Sequence, residues 1–156
     1  MADIGELSTF HRLAGLSRDE LTVLARIGKG VSFPPGQRLF TEHAPADRCW
    51  LICDGLVQLD AQIPGRGEEV VQTLGRGDLL GWSWRVAPYR WHFGAKCIDA
   101  VTAIEFDARQ LSELVDQDPR FGRALTTVLF ETVLERLQAT RARLLDLYRN
   151  PGKART

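Results

Sequence analysis

The chain has 156 residues, 44% hydrophobic and 26% charged, values ordinary for one globular domain with a real core. Its 20 basic and 20 acidic residues give a formal net charge of zero, so no global field attracts it to nucleic acid or to an anionic membrane. No apolar run approaches the roughly 20 residues that span a bilayer, and the N-terminus lacks the pattern of a signal peptide. These features predict a cytoplasmic protein without a membrane segment.

The first thirty residues predict helices. Apolar residues recur at helical spacings over residues 10–27. Ser17 followed by Glu20 forms a capping box, which predicts a helix from about Arg18. Gly28 then ends the helical pattern.

From residue 31 the pattern is one of short strands separated by glycine and proline, which is typical of a sandwich or barrel. The predicted strands are residues 38–40, 49–53, 56–61, 70–74 and one or two within 97–106. Asp54-Gly55 is a two-residue hairpin signal. Cys49, Cys53 and Cys97 stand in apolar strands, which favours reduced core thiols over a metal site.

The chain returns to helix from Asp107, which caps a short segment over residues 109–115. A longer helix is predicted over residues 120–149. Its apolar residues step by three and four, as in a helix–helix seam, and we expect a homodimer through it. The alternative is a cover helix without a partner. The seam comprises Phe130, Val133, Leu137, Thr140, Leu144 and Leu147, and the residues expected to face the β domain are Phe121, Leu125, Leu129, Leu134 and Leu145.

Residues 77–95 hold three of the four tryptophans, together with a tyrosine, a phenylalanine, two arginines and a histidine. Apolar rings beside convergent polar groups are what a small-molecule pocket needs. A buried aromatic corner that closes the β domain is the alternative. The segment begins with a glycine-rich turn and is predicted to be a loop with a short helix.

Three stretches of the chain have characteristic spacings of glycine and apolar residues: Phe33-x-x-Gly36-x-x-Leu39-Phe40-x-Glu42, Trp50-x-Ile52-x-x-Gly55-x-Val57-x-Leu59 and Gly77-Asp78-x-x-Gly81. Together they resemble the cyclic-nucleotide-binding domain of Crp/Fnr (catabolite activator-like) regulators. The long helix is similar to their dimerisation helix at Arg136-Leu137-Gln138-Ala139-Thr140. The resemblance implies a mainly β, jelly-roll-like β-roll with flanking helices. The expected divisions are helices over 1–30, a β-roll over 31–107, helices over 108–149 and a tail over 150–156.

The departures from this family fall where the ligand chemistry lies. In nucleotide-binding members a glutamate after Gly-x-x-Gly holds the ribose, and an arginine in Arg-Ser/Ala-Ala pairs with the phosphate. Trp82 stands at the first place, and Trp91-His92-Phe93 stands at the second. Arg90 is one residue early, and Arg141 follows Thr140 where a serine would stand in the helix. The resemblance implies the candidate ligand residues Gly81, Trp82, Ser83, Trp84, Arg85, Arg90, Trp91, His92, Phe93, Thr140 and Arg141.

We therefore expect a non-enzymatic sensor domain whose cyclic-nucleotide binding is altered or lost. The sequence has no Gly-x-Ser-x-Gly, P-loop or His-Glu-x-x-His motif. Genuine cAMP or cGMP binding through Arg90 is one alternative, and an interaction adaptor with a filled pocket is another. No cofactor is expected with certainty, and haem on His92 is disfavoured. Only residues 149–156 follow the long helix, so we expect no specific DNA binding by this chain alone.

Overall fold

The computed structural model describes residues 1–152 and places helices at both ends of an eight-stranded β domain. The helices are α1 (Ile4–Ser8), a 3₁₀ helix (His11–Leu13), α2 (Arg18–Ile27), a second 3₁₀ helix (Ser83–Arg85), α3 (Ala108–Gln117) and α4 (Pro119–Arg149). The strands are β1 (Lys29–Phe33), β2 (Arg38–Phe40), β3 (Arg48–Asp54), β4 (Val57–Ile63), β5 (Gly67–Leu74), β6 (Leu79–Leu80), β7 (Gly94–Cys97) and β8 (Val101–Asp107). The last four residues of the predicted tail, 153–156, lie outside the described residues.

Two antiparallel four-stranded sheets form the β domain, in the orders β1-β8-β3-β6 and β2-β7-β4-β5. Strand β3 is buried on both faces, because alternate residues point to opposite sides of a strand. Cys49 and Cys53 face a core shared with the helices, whereas Trp50 and Ile52 face a second core that includes residues of the other sheet. The predicted β-roll with flanking helices is confirmed.

The hairpin expected at Asp54-Gly55 is wrong. Strand β3 pairs with β6 and β8, whereas β4 pairs with β5 and β7, so the chain crosses between the two sheets here. Gly55 has φ +88°, and a Cβ on it would lie 2.3 Å from the Ala100 carbonyl oxygen. The residue pair marks a tight turn correctly, but a local turn preference does not determine which strands pair.

The predicted helix caps are present. The backbone N–H of Glu20 donates to Ser17 Oγ at 3.2 Å, and the Glu20 carboxylate accepts from the Ser17 N–H at 2.7 Å, which completes the capping box of α2. Asp107 accepts from the Gln110 N–H at 3.0 Å and begins α3. Asp118, a cap that we did not predict, begins α4, with Pro119 at its first position.

Helix α4 has 31 residues, which corresponds to a length of about 46 Å. Its buried residues are Phe121, Gly122, Leu125, Val128, Leu129 and Thr132. Leu134 and Leu145, which we expected to face the β domain, are 41% and 48% exposed, so neither enters the core. Among the described helices, none has the length and apolarity required to cross a membrane.

Candidate ligand site

A glycine-rich turn positions the candidate site at the end of β6. Gly77 and Gly81 have φ values of +86° and +96°, which glycine adopts without strain. The Asp78 carboxylate accepts from the Gly75 N–H at 2.9 Å and from the Arg12 guanidinium at 3.2 Å. The Asp78 carboxylate therefore closes the turn by binding its backbone, and it joins the turn to the N-terminal helices through Arg12.

Trp91 occupies the interior of the site. Its ring is 3% exposed and stacks on Phe40, with 3.8 Å between ring centroids, and lies 6.0 Å from the ring of Trp50. A Cβ on Gly81 would approach the Trp91 ring to 3.0 Å. Trp91 is thus packed against the turn and against both sheets, and aromatic packing of this kind stabilises beyond its buried area.

Trp84 lies in a different core. It is 3% exposed and packs with the helical core that contains Cys49 and Leu111. Its indole N–H donates to the Gly81 carbonyl at 3.2 Å. Burial raises the pKa of Cys49 to about 12, so this neighbour is a neutral thiol. The structure places Trp84 away from the other candidate aromatics.

Trp82 and His92 form the outer wall of the site. Their rings stack with 4.7 Å between centroids. Ser83 Oγ lies 2.8 Å from His92 Nδ1, within hydrogen-bond distance, and also accepts from the His92 backbone N–H at 3.4 Å. These three residues bind one another, so the polar groups of the segment are largely satisfied internally.

The two arginines of the segment do not enter the site. Arg85 is exposed, and its side chain has no hydrogen bond or ion pair among residues 1–152. Arg90 is also exposed, and it donates to the His43 carbonyl at 2.9 Å. Neither guanidinium lines the cavity beside Trp91, the position at which the resemblance puts the phosphate-binding arginine.

Helix α4 supplies a cation that the sequence did not single out for the site. Arg136 donates through Nη2 to the Leu79 carbonyl and lines the same cavity as Trp91. Desolvation by burial lowers its pKa to about 10, so it is still charged at neutral pH. Thr140 and Arg141 are exposed, and the Thr140 hydroxyl donates to the Arg136 carbonyl at 2.8 Å.

Little space remains in the site. The cavity measures about 10 Å³ and is lined by Phe40, Leu59, Leu80, Gly81, Trp82, Ser83, Trp91, Phe93 and Arg136. Ligand pockets usually measure roughly 300–1,000 Å³, and a single water needs about 10–15 Å³. In this conformation the protein's own side chains fill the site, and the remaining space is too small for a nucleotide. The lining residues Phe40 and Arg136 were missed, because both lie far from the segment in sequence.

Near its end, at Gly94, the segment of residues 77–95 lies against a buried ion pair. Arg38 binds Asp60 through two hydrogen bonds of 3.2 and 2.9 Å, and Asp60 is 2% exposed. Burial is the largest single effect and raises the pKa of Asp60, but hydrogen bonding with Arg38 and Glu68 and the charges of Arg38 and Lys96 together outweigh it, and the net pKa is below its ordinary value. A Cβ on Gly94 would lie 2.2 Å from the Asp60 carboxylate, so only glycine fits at the start of β7.

Comparison with known proteins agrees with this geometry. The family model described as "Cyclic nucleotide-binding domain" matches residues 30–118. A CRP-like cAMP-activated global transcriptional regulator from Mycobacterium tuberculosis is 27% identical over 133 residues, which are 85% of this chain and 58% of that protein. The chain therefore spans little more than half of the length of that relative.

Solved structures show the same fold. A protein from Geobacter metallireducens superposes with a TM-score of 0.79 at 26% identity, covering 88% of this chain and 99% of that one. A cyclic nucleotide-binding domain from Methylobacillus flagellatus superposes with a TM-score of 0.81 at 18% identity, covering 91% and 83%. The second likeness is one of fold alone.

Proposed function

Because this chain belongs to the cyclic nucleotide-binding domain family, we propose that it is a non-enzymatic regulatory domain whose ordinary cyclic-nucleotide binding is altered or lost. One observation carries the proposal. The buried Trp91 ring stands where the family resemblance puts the phosphate-binding arginine, and it is stacked on Phe40.

The chemistry of a phosphodiester supports this proposal. A buried phosphate needs a cationic partner, and arginine supplies two parallel hydrogen bonds, whereas an indole has one N–H and no charge. Desolvating the phosphate without such a partner costs several kcal/mol. Arg136, the cation that lines the cavity, already donates to the Leu79 carbonyl.

The alternative of cAMP or cGMP binding through Arg90 is less well supported. The Arg90 guanidinium lies on the outer surface and donates to a backbone carbonyl. Binding through Arg90 requires the segment to change its register and Trp91 to leave the core. Haem on His92 is disfavoured as well, because the ring is stacked on Trp82 and the adjoining cavity of about 10 Å³ is far too small for a haem.

An interaction adaptor with a filled pocket is the second candidate, and the small remaining cavity favours it. The two candidates differ in whether a ligand enters at all. A small aromatic or anionic ligand has to displace Trp91 and would meet Arg136, whereas an adaptor keeps both in place.

Titration calorimetry with cAMP, cGMP and cyclic di-GMP tests the proposal. We expect dissociation constants above about 1 mM for all three, equivalent to less than about 4 kcal/mol of binding free energy. Micromolar binding of cAMP or cGMP would contradict the loss of binding. If that binding disappeared in Arg90→Ala and persisted in the matched variant Arg85→Ala, Arg90 would be the phosphate partner.

We further propose a homodimer through α4. The predicted seam residues Phe130, Leu137 and Leu144 are 68%, 64% and 53% exposed, a pattern that a second copy of the helix would cover. In sedimentation equilibrium we expect twice the chain mass, and we expect Leu137→Asp to weaken the dimer at least about tenfold, because 1.4 kcal/mol corresponds to that factor. Gln138→Asp adds the same charge off the seam and is the control. A wild-type chain that is monomeric at micromolar concentration overturns this proposal.

Specific DNA recognition by residues 1–152 is not part of the proposal. Among these residues α4 is the last long element, and it is followed only by a short turn at Pro151. Two of the basic residues of α4, Arg136 and Arg143, donate to backbone carbonyls of the β domain.

A further inference from the structure

Residues 85–90, Arg85-Val86-Ala87-Pro88-Tyr89-Arg90, form an exposed knob between two buried tryptophans. All six residues are exposed, and Val86 and Tyr89 are 51% and 54% exposed. The flanking residues Trp84 and Trp91 are each 3% exposed. The segment that fills the site on its inner side therefore presents an apolar and aromatic surface on its outer side.

The knob is held in one conformation by its backbone. The Tyr89 N–H donates to the Val86 carbonyl at 2.9 Å, and the Tyr89 carbonyl accepts from the Ala46 N–H at 2.8 Å. The Trp91 N–H donates to the Ala44 carbonyl at 2.9 Å. Tyr89 has φ +60°, a conformation that is unfavourable for a bulky residue and persists only where the surroundings impose it. A backbone held in this way loses little conformational entropy on binding a partner.

Neither arginine of the knob is neutralised by an ion pair within residues 1–152. Residues 79–98 contain two arginines and one lysine and no aspartate or glutamate, in a chain whose formal net charge is zero. Arg85 is in no ion pair among the described residues, and Arg90 donates to the neutral carbonyl of His43. The facing loop carries two carboxylates, Asp47 and Glu42, of which Glu42 accepts from the Gln62 N–H at 2.9 Å, and neither is in an ion pair with the knob. Both arginines of the knob are therefore available to an external carboxylate.

We propose that the knob is a docking surface for an acidic protein segment that carries an apolar side chain. Tyrosine and arginine are the residue types that dominate binding energy in interfaces. Complementary charge steers the encounter and fixes the partner's orientation, and the exposed valine and tyrosine give the apolar contact. The inference does not depend on whether the site behind Trp91 binds a nucleotide.

Peptide display with counter-selection tests the proposal. A library of random twelve-residue peptides is selected on the full chain and depleted on the variant Arg85→Glu/Arg90→Glu. We expect the enriched peptides to combine aspartate or glutamate with leucine, phenylalanine or methionine. No enrichment over the variant, or enrichment of basic or neutral peptides, overturns the proposal.

Fluorescence anisotropy with one enriched peptide then measures the contribution of each residue. We expect Arg85→Glu alone to weaken binding about tenfold at 50 mM salt and less at 500 mM salt, because salt screens exposed charges. Arg85 has no side-chain partner among residues 1–152, so this variant keeps the fold. Arg66→Glu, at the exposed β4–β5 turn, is the matched control, and an equal loss there contradicts a specific surface.

The same variants distinguish an acidic peptide from two other anionic partners, nucleic acid and lipid. A twenty-nucleotide single-stranded oligonucleotide and vesicles of phosphatidylserine and phosphatidylcholine are titrated in parallel. Weaker binding of both than of the peptide supports the acidic protein segment. Tighter binding of either one, lost in Arg85→Glu, assigns the knob to nucleic acid or membrane and overturns the proposal.

Discussion

The two halves of α4 belong to one continuous helix and have opposite surroundings. Residues 119–132 contain all of its buried side chains, including Phe121, which is fully buried. Residues 133–149 contain none, and only Arg136 there is even half-buried. The first half is part of the domain core, whereas the second half extends beyond that core with exposed leucines.

This difference shows that the same spacing of apolar residues along α4 gives a buried face in its first half and an exposed face in its second half. Burial in the first half is decided by α3 and the N-terminal helices, which pack around it. The second half is held to the β domain by polar contacts, through Arg136 and Arg143 to backbone carbonyls. Its apolar residues remain available to a second copy, as proposed above.

The largest expected effect compares two phenylalanines of α4. Phe121→Ala should lower the free energy of unfolding by about 3–5 kcal/mol, because it leaves a cavity in the core. Phe130 is 68% exposed, so Phe130→Ala should act only through the dimer. Urea unfolding at several protein concentrations is the measurement. The Phe121 effect should not change with dilution, whereas the Phe130 effect should decrease, and equal behaviour of the two variants would remove the distinction between the halves.

An intermediate effect is expected at the boundary between the halves. The Arg12 guanidinium donates to Thr132 at 3.3 Å, to Glu135 at 2.6 Å and to Asp78 at 3.2 Å. Arg12→Ala should lower the free energy of unfolding by about 1–3 kcal/mol, since hydrogen bonds to charged groups are lost. It should also speed hydrogen exchange in residues 133–149.

Arg26→Ala is the control for Arg12, since Arg26 is exposed on α2 and makes no side-chain hydrogen bond within residues 1–152. If Arg12→Ala changes exchange no more than Arg26→Ala does, the boundary is set by apolar packing alone.

The smallest effect is expected near the end of α4. Arg143 donates to the carbonyls of Val70 and Val71 at 2.9 and 2.8 Å. Arg143→Ala should leave global stability within about 1 kcal/mol of wild type, because these hydrogen bonds are exposed. Hydrogen exchange of residues 140–149 should nevertheless become faster than in Arg141→Ala, whose side chain is also exposed. Identical exchange in both variants would show that Arg143 does not hold the helix.

Local signals in the sequence were sufficient for much of the fold. Ser17 and Asp107 begin helices because their side chains bind the first free N–H groups, which depends only on nearby residues. The family resemblance identified the β-roll. The crossing at Gly55 was missed, because strand pairing depends on distant partners such as β8.

The interior of the site was harder to predict for the same reason. Trp84 and Trp91 are seven residues apart in a sequence that is rich in aromatic residues, yet they pack into separate hydrophobic cores. That outcome depends on the path of the intervening knob and on Phe40, which comes from another strand. Arg136 is close to the site only because α4 returns across the β domain.

The stacked rings of Phe40, Trp50 and Trp91 have an optical consequence. Two indoles 6.0 Å apart in a rigid core couple their electronic transitions and produce a strong near-ultraviolet circular dichroism signal. A molecule that enters the site has to displace Trp91 and will change that signal without any added label. The domain thus contains its own spectroscopic indicator of whether the site is open or filled.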